Sequence, residues 1–346
     1  MTAGPGIQHD NNYNMIRLVA ALQVLAVHVV NHFGLTAPLL NALRITPGVP
    51  TFFFVSGVLI YGSYTRLRDA GRSGFFRNRV LRIYPGLLVC LVVSLASVYV
   101  SGYFASHPVG WRPLGAWLLA QATMFQFYNP DFLRGYGAGV LNGAVWTVAV
   151  EIQFYLLVPA LWYLLRRQRL LLAALLLTSL AVNLYLRNFL DWNLLQMKLL
   201  YVSFLPWVYM FLTGFIVASS EAAQRQVRRI PIKYLVVAYI LSMNLVGSYT
   251  VNAANSINPV SFVILGALIL RLAEYPLRLP TTWQRFVARN DFSYGLYLYH
   301  MPTINFLLAL GVFSLSGNVV VAVLASAVLA VASWYLVERP ALSRKR

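Results

Sequence analysis

The chain is poor in negative charge. Its 346 residues include nine Asp and Glu against 27 Lys and Arg, a formal net charge of +18. There is one cysteine, Cys90, which excludes an intrachain disulfide and a cysteine-based metal cluster. Cys90 lies in the apolar run GLLVCLVVS with no basic neighbour to lower its pKa, which argues against a thiolate nucleophile. The polar start, MTAGPGIQHDNNYN, carries no basic patch before the first apolar segment and does not read as a cleaved signal peptide. No internal repeat, heptad array or low-complexity tract appears. Charge of any kind is scarce: 10% of residues are charged and 59% hydrophobic. A soluble domain of this length is not built that way, so the chain reads as an all-α polytopic membrane protein. In a soluble protein so basic a balance would suggest nucleic acid. Here the basic residues fall in short loops between apolar segments, so topology and anionic lipid head groups account for them, and no nucleic-acid partner is expected.

What is present is a series of apolar segments, at 15–33, 48–64, 80–103, 143–165, 169–187, 201–219, 232–250, 257–273, 293–313 and 318–337. A further stretch, 112–128, is short. The loop charges arbitrate. Clusters at Arg66–Arg82, Arg166–Arg169, Arg225–Lys233, Arg271–Arg289 and Arg339–Arg346 fall on one side if 112–128 does not cross. The opposite side then holds only Arg44, Arg112, Arg134, Arg187 and Lys198. By the positive-inside rule this gives about ten transmembrane helices in a single domain spanning 1–346, with both termini cytoplasmic. The polar stretch 1–14 and the basic tail 338–346 flank it. Residues 105–142 become an extracytoplasmic excursion with an interfacial or re-entrant helix.

Within this frame a few ionisable residues stand out. Arg17 and His28 lie eleven positions apart in the first segment, nearly three helical turns and roughly 16 Å along the axis. Arginine at membrane depth costs on the order of 2.5–3.5 kcal/mol and normally faces protein or a wet cavity. Either the pair marks a reaction site, or Arg17 snorkels and His28 is satisfied by a neighbouring helix. His28 and His32 have the i, i+4 spacing of metal ligands, but no Asp, Glu or Cys nearby completes a set, and no metal is expected. Glu151, in WTVAVEIQFY, is the carboxylate well inside a span and serves chemistry or a structural interhelical bond; Trp146 and Tyr155, which flank it, either line a substrate pocket or simply pack. The run Arg72–Pro85 holds Arg77, Arg79, Arg82 and Tyr84. Its guanidinium forks suit a phosphorylated ligand, and equally suit topology and anionic lipid. SYGLYLYHMP (293–302) sets Tyr297 and His300 in a polar wall, with Pro302 freeing a carbonyl one turn earlier. The loop charges put His28, Ser56, Glu151 and His300 in one layer.

Several of these pieces together resemble a known family. Arg17 with His28, FFFVSG at 52–57, FFRNRVLRIYP at 75–85, WTVAVEIQFY at 146–155, SYGLYLYHMP at 293–302 and ERP at 338–340 occur in the order of the acyltransferase 3 family of integral-membrane O-acyltransferases. The resemblance implies about ten helices in a bacterial inner membrane. It implies acyl-CoA, usually acetyl-CoA, as donor co-substrate from the cytoplasm, with no permanently bound cofactor. The implied acceptor is a hydroxyl of an envelope glycan or glycolipid. It also implies that His28 is the essential histidine, with Arg17 of the same motif, that Arg79 and Arg82 hold the donor, and that Glu151 is the motif's acid. On that reading His28 acts as general base or acyl carrier, Glu151 orients or compensates its imidazolium, and Ser56 is a candidate oxyanion donor. A different class also fits buried ionisable groups above a basic face: a transporter or flippase for an anionic lipid-linked sugar. CoA binding separates the two.

Overall fold

The computed structural model describes residues 11–36, 38, 42–71, 74–245, 255, 257–276, 280–311 and 315–345. Residues 1–10 of the polar start, 246–250 and 312–313 of two apolar segments, and the basic Arg72, Arg278 and Arg346 lie outside them. Among the described residues all regular structure is helical. Each of the ten apolar segments holds a helix: α1 (Tyr13–His32), α2 (Gly48–Asp69), α3 (Gly74–Val100), α5 (Trp146–Arg167), α6 (Arg169–Phe189), α7 (Val208–Ser219), α8 (Ile232–Leu245), α9 (Pro259–Ala273), α10 (Ser293–Leu310) and α11 (Leu315–Ser333), with α4 (Trp111–Gln121) in the excursion. Five apolar helices, α1, α3, α5, α6 and α11 with its continuation to Leu342, are long enough and apolar enough to cross a membrane. α7, α8 and α9 are shorter.

The sixth segment departs from its expected bounds. It is not continuous over 201–219. A short helix (Leu195–Tyr201) ends, the chain turns, and α7 begins at Val208. Pro206 stands in the break, where its missing N–H rules out an unbroken ladder. Trp207 then donates its indole N–H to the Tyr201 carbonyl at 2.7 Å and seals the turn.

α10 is the axis of the molecule, with fourteen of its eighteen residues buried. α6 is the contrast: Leu170 is 87% exposed and Leu177 62%, a face suited to lipid. α2 and α7 touch backbone to backbone. A Cβ on Gly57 would stand 2.0 Å from the Phe211 carbonyl oxygen, and one on Gly214 would stand 2.2 Å from that of Phe54. Glycine at 57 thus lets α2 approach α7, while its neighbour Ser56 turns toward α5.

The excursion is moored to α10. Pro302 cannot donate to Leu298, and the Leu298 carbonyl is taken instead by Asn142 Nδ2 at 2.9 Å and Cys90 Sγ at 3.3 Å. One turn on, the Asn305 amide donates to the Val140 and Leu141 carbonyls, each at 2.9 Å, and accepts from Ala138 N at 2.6 Å. Gly137, at φ +54°, fits where a side chain would strike Asn305. α4 has eleven residues, about 16 Å of helix against a hydrocarbon core of about 30 Å. It packs Trp117 into a small separate core with Val98, Leu133, Tyr136 and Leu141.

Candidate active site

The chemistry-bearing side chains form three tiers along α1. At the end of α1 that holds Arg17, the Asp291 carboxylate, just ahead of α10, gathers two arginines. Its Oδ2 accepts from Arg17 Nη1 and from Arg82 Nη2 of α3, while Oδ1 accepts from the Ser293 amide at 3.2 Å and from the Ser293 hydroxyl. Burial alone would raise the Asp291 carboxyl; Arg17 and Arg82 outweigh it and hold the group well below the usual carboxylate range. Arg79, three residues before Arg82, lays its guanidinium over the rings of Tyr155 (5.6 Å) and Phe75 (5.7 Å). Its buried Nε has no hydrogen-bond partner among the described residues. Lys345 approaches from the tail. Burial, then Arg79, Arg82 and Arg17, push its ammonium down to about 7, with Asp291 opposing. Three arginines and a partly charged Lys345 thus interact around Asp291 and Glu338, a surplus of positive charge suited to an anion.

The middle tier is a chamber of about 40 Å³, room for a water or two. Arg17, Phe52, Ser56, Thr147, Glu151 and Tyr297 line it. Glu151 Oε1 accepts from Ser56 Oγ at 2.7 Å and from the Tyr155 hydroxyl one turn along α5. The Tyr297 and Thr147 hydroxyls pair at 2.6 Å, and Tyr297 donates to the Ala144 carbonyl at 3.0 Å. The Ser56 hydroxyl therefore donates to Glu151 in this structure.

Beyond Tyr297 lies a cavity of about 820 Å³ with His28 on its wall. The His28 ring lies 5.1 Å from that of buried His300 and 5.7 Å from that of His32, stacked on the latter. His300 Nδ1 pairs with the Leu296 carbonyl at 3.3 Å. With Nδ1 donating, Nε2, which has no partner among the described residues, is left as an acceptor. Trp146, Trp192 and Tyr201 form an aromatic wall, with Trp146 and Tyr201 rings 4.6 Å apart. Asn31, Gln126, Asn129 and Asn255 line it with amides, as do Gln23 and Asn142, whose amides are bonded to backbone groups. A large cavity with aromatic platforms and convergent amides suits a sugar-sized polyol. Val49 and Tyr297 border both the chamber and the cavity, and Tyr297 packs edge-on against Phe52 at 5.5 Å and His300 at 5.8 Å.

The single expected layer is thus two pairs. Ser56 and Glu151 share the chamber; His28 and His300 meet beyond it. Tyr155 reaches Glu151 rather than the cavity, whereas Trp146 and Tyr297 line the cavity. Arg77 is exposed on the far side of α3 from Arg79, and Tyr84 is half-buried against the core. Asp291, Lys345 and Glu338 escaped the sequence reading as members of the site. The one signal for Asp291 was its place two residues before Ser293 at a helix start, a cap signature.

A protein-family model described as an acyltransferase domain matches residues 10–339. The chain is 28% identical over 361 residues to nodulation protein 10 of Rhizobium leguminosarum bv. viciae, covering 96% of this chain and 94% of that protein. It is 26% identical over 156 residues to an O-acetyl transferase of Shigella phage Sf6, covering 43% and 44% of the two. No solved structure matches.

Proposed function

We propose, because this chain belongs to the acyltransferase domain family, that it moves an acyl group, acetyl foremost, from acyl-CoA to a hydroxyl of an envelope polysaccharide or glycolipid. The observation that carries the reading is the chain of three tiers. A cation-rich face and a polyol-sized cavity meet across one narrow chamber, with His28 on the cavity side. In this reading the cation face lies in the cytoplasm and the cavity on the outer side of a bacterial inner membrane, with about ten crossings and both termini inside; the loop charges support that sidedness. The family match and the O-acetyl transferase relative support transfer to oxygen.

In this reading Arg79, Arg82 and Lys345 hold the CoA phosphates, and Arg17 faces both Asp291 and the chamber. Only the acyl-bearing arm passes toward the cavity, once Phe52 or Tyr297 turns aside. Phosphates and nucleotide stay behind. His28 takes the proton of the acceptor hydroxyl as that oxygen attacks the thioester carbonyl; the C–O bond forms, the C–S bond breaks, and the proton passes to the departing thiolate. In the covalent variant a ring nitrogen of His28 attacks first, CoA leaves as the thiol, and the acyl-imidazole is then taken by the hydroxyl. Ser56 and Tyr155 fix the Glu151 carboxyl at the chamber wall, where it faces the entering arm and positions rather than reacts. The packed aromatic gate keeps out water, which would otherwise hydrolyse the donor.

Arg79→Gln tests the donor face without breaking an ion pair. The acyl-CoA KM should rise about tenfold or more, as for a lost charged hydrogen bond, with the acceptor KM unchanged. Steady-state kinetics on purified protein reads both. An unchanged donor KM would mean that Arg79 serves topology. Purified protein that binds no CoA yet moves a lipid-linked glycan across vesicles would instead return the flippase reading.

A further inference from the structure

We infer that the acceptor taken by the outer cavity is acidic, a glycan carrying a carboxylate or phosphate close to the hydroxyl that is acylated. The inference rests on the acyl-transfer reading above and adds the class of acceptor.

The argument begins from a shortage. On the proposed outer side the loops contain five basic residues, Arg44, Arg112, Arg134, Arg187 and Lys198, because the positive-inside rule keeps such residues away. Three of the five, Arg44, Arg134 and Lys198, line the one 820 Å³ cavity that also holds His28. They come from three separate stretches of chain: the turn after α1, the excursion, and the short helix after α6. Topology does not bring them together, since it disfavours each of them there. Among the described residues, no Asp or Glu lines the cavity. Arg134 has one acidic neighbour, Asp131, 3.8 Å away and fully exposed, an ion pair of little worth in water. Arg44 and Lys198 have no carboxylate partner among the described residues. Arg112, by contrast, is exposed outside the cavity, above the ring of Trp111.

Three cations around a cavity without a counter-charge make a field that gathers anions and disfavours cationic ligands. A neutral sugar would gain from them only ordinary hydrogen bonds to its hydroxyls. A sugar with a carboxylate or phosphate would gain a charge-assisted contact and a fixed orientation, which selects one of its several hydroxyls for His28.

The test uses the full-length protein in detergent, acetyl-CoA as donor, and three acceptors: a trigalacturonate, its methyl ester, and a maltotriose phosphate. The expected result is transfer to an acidic acceptor with a KM about tenfold or more below that of the neutral ester, and a difference that shrinks as salt rises. The carboxylate and phosphate arms show which anion is used. Arg44→Gln with Lys198→Gln should raise the acidic-acceptor KM about tenfold while leaving the donor KM unchanged. Arg112→Gln, on the same side but outside the cavity, should leave both unchanged. Direct binding of the three oligosaccharides to His28→Ala protein, read without chemistry, should give the same order. Equal KM for ester and acid, or an acidic-acceptor KM untouched by the double variant, overturns the inference while leaving acyl transfer in place. Failure to bind acetyl-CoA at all overturns the reading beneath it as well, so the two failures are distinguishable.

Discussion

His28→Ala should reduce acyl transfer by at least about 10²–10⁴-fold, the contribution of a positioned general base, and by more if the histidine carries the acyl group. The expectation follows from place rather than from residue type. Of the three histidines that meet at 5.1 and 5.7 Å, His28 is the one on the cavity wall; His300 is fully buried, with its Nδ1 on a backbone carbonyl, and His32 is a turn nearer the helix end. Removing the ring leaves the Arg17–Asp291–Arg82 cluster and the Glu151 bonds untouched, so expression and acyl-CoA binding should persist. His28→Gln, which keeps polarity without a basic nitrogen, should be as inactive as alanine. Initial rates of labelled acyl transfer, normalised to folded protein, decide it. Activity within tenfold of wild type in either variant would move the reacting base elsewhere.

Asp291→Asn should be the most damaging single change to stability. The carboxylate ties α1, α3 and the start of α10 together, and its side chain and both guanidiniums are largely buried. Neutralising it leaves two buried cations facing each other with Glu338 as the remaining nearby carboxyl, a loss of about 3–5 kcal/mol for a broken buried pair. Thermal unfolding in detergent should fall by many degrees, and lipid should restore only part of it. The same group sets an acid limit. Because the folded carboxyl lies below its unfolded value of about 3.9, its stabilisation is complete above that pH. It is lost as the pH falls through the window below about 3.9, where the unfolded chain takes the proton more readily. The variant should lack this contribution to the acid limb. Equal thermal midpoints for the two proteins at neutral pH would show that the cluster carries no such load.

The sequence made the long helices and much of the arginine face legible. Hydropathy marks each apolar segment because a membrane helix has to be apolar over its whole length. It missed the break at Pro206 because Leu205 and Trp207 keep the stretch apolar while the backbone turns. Arg79 and Arg82 share a face at i, i+3, whereas Arg77 lies about 200° from Arg79 on a helix wheel, so its exposure could have been read. The bond between Glu151 and Tyr155 is local, one helical turn; the bond to Ser56 spans 95 residues and needs the α2–α7 contact through Gly57 and Gly214 to place it. Depth along the helices brought His28 and His300 to one level, but depth does not say which faces meet, and so it merged two tiers into one. Asp291 stayed hidden because a loop acid has no periodicity to betray its partners.

The central claim is that donor and acceptor sit on opposite faces and meet through the Tyr297 gate. It is tested most directly in proteoliposomes of known orientation. Acetyl-CoA labelled in the acetyl group is supplied on the face of Arg79 and Lys345, and a glycan acceptor on the other. The prediction is labelled acceptor on the far side with all CoA retained on the near side, and no labelling when donor and acceptor change places. Label that appears only when both substrates share one face would contradict it.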